Sequence, residues 1–178
     1  MRTLQKPVLF LTALVTCLAA LPGVAQAAPT PTVTLLPFNQ PEDVVSAGDR
    51  VFVSGGRDAA QIVVTDAAGA VTGTIDGLVG PTDLQLSNDR RTLYVALPQA
   101  DAIAAYDTGS LARSALYATG AGTCPAKLAF TGRFLWFGYG CGTWGGEIGR
   151  VDLARQPAVV TTGLSGQSAT SPANPAET

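Results

Sequence analysis

Three stretches of this chain repeat one pattern, with their opening prolines, Pro41, Pro81 and Pro125, spaced 40 and then 44 residues apart. Each proline leads a short run: Pro41-Glu-Asp-Val-Val-Ser46, Pro81-Thr-Asp-Leu-Gln-Leu86 and Pro125-Ala-Lys-Leu-Ala-Phe130. A second run follows each: Arg50-Val-Phe-Val-Ser54, Thr92-Leu-Tyr-Val-Ala96 and Phe134-Leu-Trp-Phe-Gly138. A third ends on aspartate: Ile62-Val-Val-Thr-Asp66, Ile103-Ala-Ala-Tyr-Asp107 and Ile148-Gly-Arg-Val-Asp152. A fourth begins at Ala70, Ala112 and Ala158. The runs are short, rich in Val, Ile, Tyr and Phe, and separated by turn residues such as Ala47-Gly-Asp49 and Ser87-Asn-Asp89. That chemistry predicts strands, not helices. Four strands in a period of about forty residues is the mark of a propeller blade. A blade cannot bury both faces alone, so it must stack on a neighbour.

The expected fold is therefore all-β, a partial β-propeller of about three four-stranded blades at about 41–80, 81–124 and 125–163, such as a fragment of a six- or seven-bladed ring. Arg91-Thr-Leu-Tyr-Val-Ala96 and Ala104-Ala-Tyr-Asp-Thr-Gly109 resemble the YVTN-type (YncE-like) propeller repeat of secreted bacterial proteins. The resemblance covers about residues 41–163, best in the second blade. It implies a seven-bladed ring and says almost nothing of activity. Three blades are fewer than a closed ring needs. Three arrangements are open: part of a longer parent chain, an arc closed by self-association, or an open all-β domain. Thr32-Val-Thr-Leu-Leu36 reads as an outer strand that would complete a last blade.

Residues 1–27 read as a signal peptide. Arg2 and Lys6 make a basic start, Pro7–Leu21 is apolar, and Ala25-Gln-Ala27 is a small-x-small cleavage site. The apolar run is too short to span a bilayer, so no membrane span is expected. Cys17 sits in a loose lipoprotein-like box, but the apolar run continues past it. The expected location is secreted or extracellular, with the cell surface as the variant. Residues 164–178 are small and polar and read as a disordered tail or linker.

Beyond Cys17, the chain has Cys124 and Cys141. A tight hairpin centred between Gly132 and Arg133 would pair residues whose numbers total 265, and the two cysteines total 265 as well. A structural disulfide is the expected outcome in an oxidising compartment. A reactive pair or half a metal site are the alternatives, and no further cysteine or histidine exists to complete a metal shell.

The chain has no histidine, which excludes histidine triads, histidine–zinc sites and histidine-ligated haem. With the leader removed, nine basic residues face 13 acidic ones, so no nucleic-acid partner is expected. No cofactor, metal or catalytic residue is expected. The candidate ligand-binding residues are Asp43, Asp83 and Lys127, each two after a repeat proline near the expected axis, and Tyr139 and Trp144 on the glycine-rich loop. The plainer role for the first three is turn capping or pairing with Arg50, Arg91 and Arg133. Trp136 is expected in the core, and Asp66, Asp107 and Asp152 in Asx turns. The expected function is a non-catalytic module that binds or scaffolds a protein or glycan. The alternatives are a lyase or hydrolase using carboxylates such as Asp43 and Asp83, and a structural envelope or matrix component.

Overall fold

The computed structural model describes residues 33–142 and 146–164. The expected signal peptide, Cys17, Trp144 and the expected tail at 165–178 lie outside them. Among the described residues, twelve strands form three separate four-stranded antiparallel sheets. Blade 1 holds β1 (Asp43–Ala47), β2 (Arg50–Ser54), β3 (Gln61–Asp66) and β4 (Val71–Asp76). Blade 2 holds β5 (Leu84–Leu86), β6 (Thr92–Leu97), β7 (Ala102–Asp107) and β8 (Arg113–Ala118). Blade 3 holds β9 (Pro125–Thr131), β10 (Phe134–Tyr139), β11 (Glu147–Asp152) and β12 (Val159–Thr161). Strand order follows chain order in every sheet, so each blade is a simple meander. The three sheets do not close into a barrel. Among the described residues no helix is long and apolar enough to cross a membrane.

The side-chain period of two sorts each blade onto two faces. Phe52, Ile62 and Val64 of blade 1 pack with Leu84, Leu93 and Val95 of blade 2 in one buried cluster. Tyr94, Ile103 and Ala105 of blade 2 pack with Leu128, Leu135 and Phe137 of blade 3 in another. Blade 2 is thus buried on both faces, which is why β6 and β7 are almost wholly buried while β8, at the outer edge, alternates. Within blade 3, Gly149 lies opposite Phe137, and a Cβ there would run into the ring. Glycine lets that ring fill the interface.

The β9–β10 hairpin turns at Gly132, whose φ of 60° suits glycine. Phe134 pairs with Thr131 and Gly138 with Lys127, the register the hairpin arithmetic expects. A bulge then shifts Tyr139 onto Pro125. Cys124 and Cys141 form the expected disulfide. Asp66, Asp107 and Asp152 accept backbone N–H groups of their own turns, from Ala68, Gly109 and Ala154 among others. Two expectations change. Residues 33–36 form no strand, because blades 1 and 3 each already have four. Trp136 is half-buried and lies outside both clusters. It points away from blade 2, since Leu135 and Phe137 on either side of it point toward blade 2.

Candidate functional site

The first strands of the three blades begin on one rim of the arc, and a cleft of about 960 Å³ opens there. Its walls come from Phe38 and Glu42 before and beside β1, the turn Gly56–Asp58 after β2, Thr82 before β5, and Lys127 on β9. The Gly56–Asp58 wall is fixed to blade 2. Gly56 N–H donates to the Pro81 carbonyl, Gly80 N–H to Ala59, and the Gln99 amide to the Arg57 carbonyl at 2.8 Å. Phe38 packs against Gly55, where any side chain would collide with its ring. The cleft is therefore preformed, and Glu42, Arg57, Asp58 and Lys127 give it both signs of charge.

Of the described sequence-predicted residues, Lys127 lines this cleft, and Asp43 and Asp83 stand next to its lining residues Glu42 and Thr82. Asp43 and Asp83 act between blades. Leu84 N–H donates to Asp43 Oδ2 at 2.7 Å, and Leu128 N–H donates to Asp83 Oδ2 at 2.7 Å. Each aspartate thus binds the backbone of the next blade's first strand, one position past the equivalent residue. Asp43 Oδ1 also accepts its neighbour Val44 N–H at 2.8 Å. Neither aspartate pairs with Arg50, Arg91 or Arg133. Arg50 instead donates to the Thr108 and Gly109 carbonyls of blade 2, and Arg133 pairs with Asp152. Lys127 occupies the equivalent position in blade 3 and reaches back to Asp83 at 2.9 Å. That hydrogen bond raises the lysine pKa above its ordinary value, and the charges of Asp83, Glu42 and Asp43 add to the rise.

Tyr139 lies away from the cleft. It packs against Phe137, donates its hydroxyl to Glu147 and accepts Gly163 N–H at 2.8 Å. These contacts tie the end of β10 to the segment after β12. Asp101, Cys124 and Cys141 bring carboxylate and sulfur atoms within 4.8 Å of one another, but the sulfurs are bonded to each other. The Asp101 oxygens accept Gly122 and Cys124 N–H, which hold its carboxyl below the usual carboxylate range. Sequence reasoning missed Phe38, Arg57 and Asp58, which lie outside the strand pattern. The only available signal was the break in that pattern at Gly55-Gly-Arg-Asp58.

The inter-blade role of Asp83 has a measurable consequence. Asp83→Ala strands the buried Leu128 N–H and removes the lysine's partner, and is expected to cost about 1–3 kcal/mol. Asp83→Asn keeps an acceptor and is expected to cost less. Urea unfolding checks the order. If Asp83→Ala costs no more than Asp76→Ala, in an exposed residue, the aspartate does not hold the blades together.

No protein-family model and no curated protein sequence matches the chain. Solved structures do. Hydrazine synthase of Kuenenia stuttgartiensis aligns at TM-score 0.57 and 19% identity, over 70% of this chain and 36% of that one. The Cps50 (Swd1) β-propeller domain of Myceliophteria thermophila aligns at TM-score 0.57 and 15% identity, over 75% and 41%. The mitotic checkpoint complex aligns at TM-score 0.51 and 21% identity, over 85% and 50%. At such identities the likeness concerns fold alone. The chain spans half or less of each of these structures, and its architecture is that of a partial multi-bladed β-propeller.

Proposed function

We propose that this chain is an exported, non-catalytic propeller-type module that binds a glycan in the cleft at the start of its inner strands. The observation that carries the reading is the preformed cleft itself. Neutral amides from Asn39, Gln40 and Gln61 share its lining with Arg57 and Asp58. Such a lining offers donors and acceptors in balance, as a polyhydroxylated ligand requires. Asp43 and Asp83, the pair a hydrolytic role would need, are each occupied by backbone N–H groups of the next blade. Export is supported by Ala25-Gln-Ala27 and by a disulfide, which persists in an oxidising compartment.

The test is a glycan array followed by calorimetry on any sugar retained. Arg57→Ala and Asp58→Asn are each expected to weaken binding about tenfold, the worth of one good hydrogen bond to a charged group. Both residues lie on an exposed turn, so the fold should persist. No retained sugar, or one whose affinity ignores both substitutions, overturns the glycan reading. Retention of a protein loop instead would assign the cleft to a protein ligand.

A further inference from the structure

Blade 3 carries third copies of residues that fill the two existing junctions, and among the described residues they face no further blade. Phe52, Tyr94 and Trp136 share one repeat position. Phe52 and Tyr94 are buried against the next blade, Tyr94 stacking on Phe130 of its first strand. Trp136 stays half-buried. Ile62 and Ile103 are 0% exposed, whereas their counterpart Ile148 is 46% exposed. Arg150 replaces the buried Val64 and Ala105, and stacks over the Phe134 and Trp136 rings at 4.6 and 5.6 Å. Lys127 replaces the two aspartates that hold the following blade.

The other end of the arc shows the matching defect. Val44 is 54% exposed, whereas its counterparts Leu84 and Leu128, buried against the preceding blade, are 3% and 9% exposed. Ser46, counterpart of the Phe130 that receives Tyr94, is exposed and small. Val53 and Val63, farther out on that face, are already buried, so the open part is β1. The charges are complementary as well. Residues 41–80 hold six carboxylates and two arginines, while residues 125–163 hold four basic groups and two carboxylates.

We propose that the far face of blade 3 docks on β1 of a second copy of this chain. Trp136, the largest of the three aromatics, fills the space left by Ser46 and covers Val44. Arg150 meets the acidic end of blade 1, while Lys127 stays on Asp83 of its own chain. The Val44 N–H that an aspartate would otherwise serve is already taken by Asp43 of its own chain. A lysine can therefore replace the aspartate at this junction without stranding a donor. Within one chain the two faces are separated by blade 2. Two copies head to tail about a two-fold axis make the junction twice and leave no free end, a closed ring of six blades.

Light scattering on the intact chain is the test. The expected mass is twice that of one chain as exported, falling toward one chain as salt is raised. Ser46→Arg and Trp136→Glu, on opposite ends, should each return the single-chain mass with circular dichroism unchanged. Leu116→Glu, an exposed residue of the β8 edge, should leave the pair intact. A single-chain mass for the unmodified protein at tens of micromolar overturns the proposal. So does a pair that survives both end substitutions, or a ladder of larger species, which would mean an open arc.

Discussion

Replacing Phe52 with alanine is expected to lower stability by about 3–5 kcal/mol. The ring is fully buried between blades 1 and 2, among Ile62, Val64, Leu84, Leu93 and Val95. Part of the loss is the transfer energy of a phenyl group. The rest is the cavity, which cannot collapse because β2 is hydrogen-bonded on both sides, to β1 and β3. A repeat protein holds together through interfaces between neighbours, so this cavity weakens the bond between blades as well as blade 1 itself. Trp136→Ala changes the same repeat position, but in a single chain it loses only a half-exposed ring and its stacking with Arg150. It is expected to cost about 1 kcal/mol there. Urea unfolding of the two variants side by side separates these expectations, with a shifted midpoint at unchanged slope as the sign of lost stability. Equal costs for Phe52→Ala and Val44→Ala, an exposed position, would mean that the junction of blades 1 and 2 is not where the core lies.

The period and the strand edges were legible because each depends on local pattern. Thr92–Leu97 and Ala102–Asp107 announce themselves through β-branched and aromatic runs between turns. The disulfide was legible because hairpin register is arithmetic as far as Gly138 and Lys127, and the one-residue shift at Tyr139 still leaves the two cysteines within bonding reach. The roles of Asp43 and Asp83 were not. Their partners are backbone N–H groups on the next blade, about forty residues on, and a backbone group leaves no letter in the sequence. Trp136 was assigned to the core because it lies on a strand, and its repeat equivalents Phe52 and Tyr94 are indeed buried. What differs is the neighbour, which tertiary context supplies and propensity does not. Val33 and Leu35 illustrate the same limit. Their stretch has strand chemistry, but no sheet edge receives it, and both side chains stand exposed. The cleft was the least legible element, since its walls are assembled from loops that share no pattern.

Removing the disulfide, by Cys124→Ser with Cys141→Ser, is expected to cost about 3 kcal/mol by the chain-entropy account of a loop this size. The cysteines are 17 residues apart. For a domain of this length that corresponds to a fall of roughly 10 °C in melting temperature. The cost should fall unevenly. The Cys124 side is held independently, because Asp101 accepts Gly122 and Cys124 N–H at 2.8 Å each and its carbonyl accepts Thr119. Among the described residues, the backbone on the Cys141 side is held by the Gly140 N–H bond to the Thr123 carbonyl, with the Tyr139 hydroxyl contacts just before it. Amide exchange should therefore accelerate at Gly140 and toward the end of β10, while β6 and β7, buried between two blades, keep their protection. Thermal unfolding and hydrogen exchange on the double variant, and on the parent protein with reductant, check both parts. An unchanged melting temperature would show that the hairpin register alone holds blade 3. Faster exchange in β6 as well would show that the bridge supports the whole arc and not one end of a single blade.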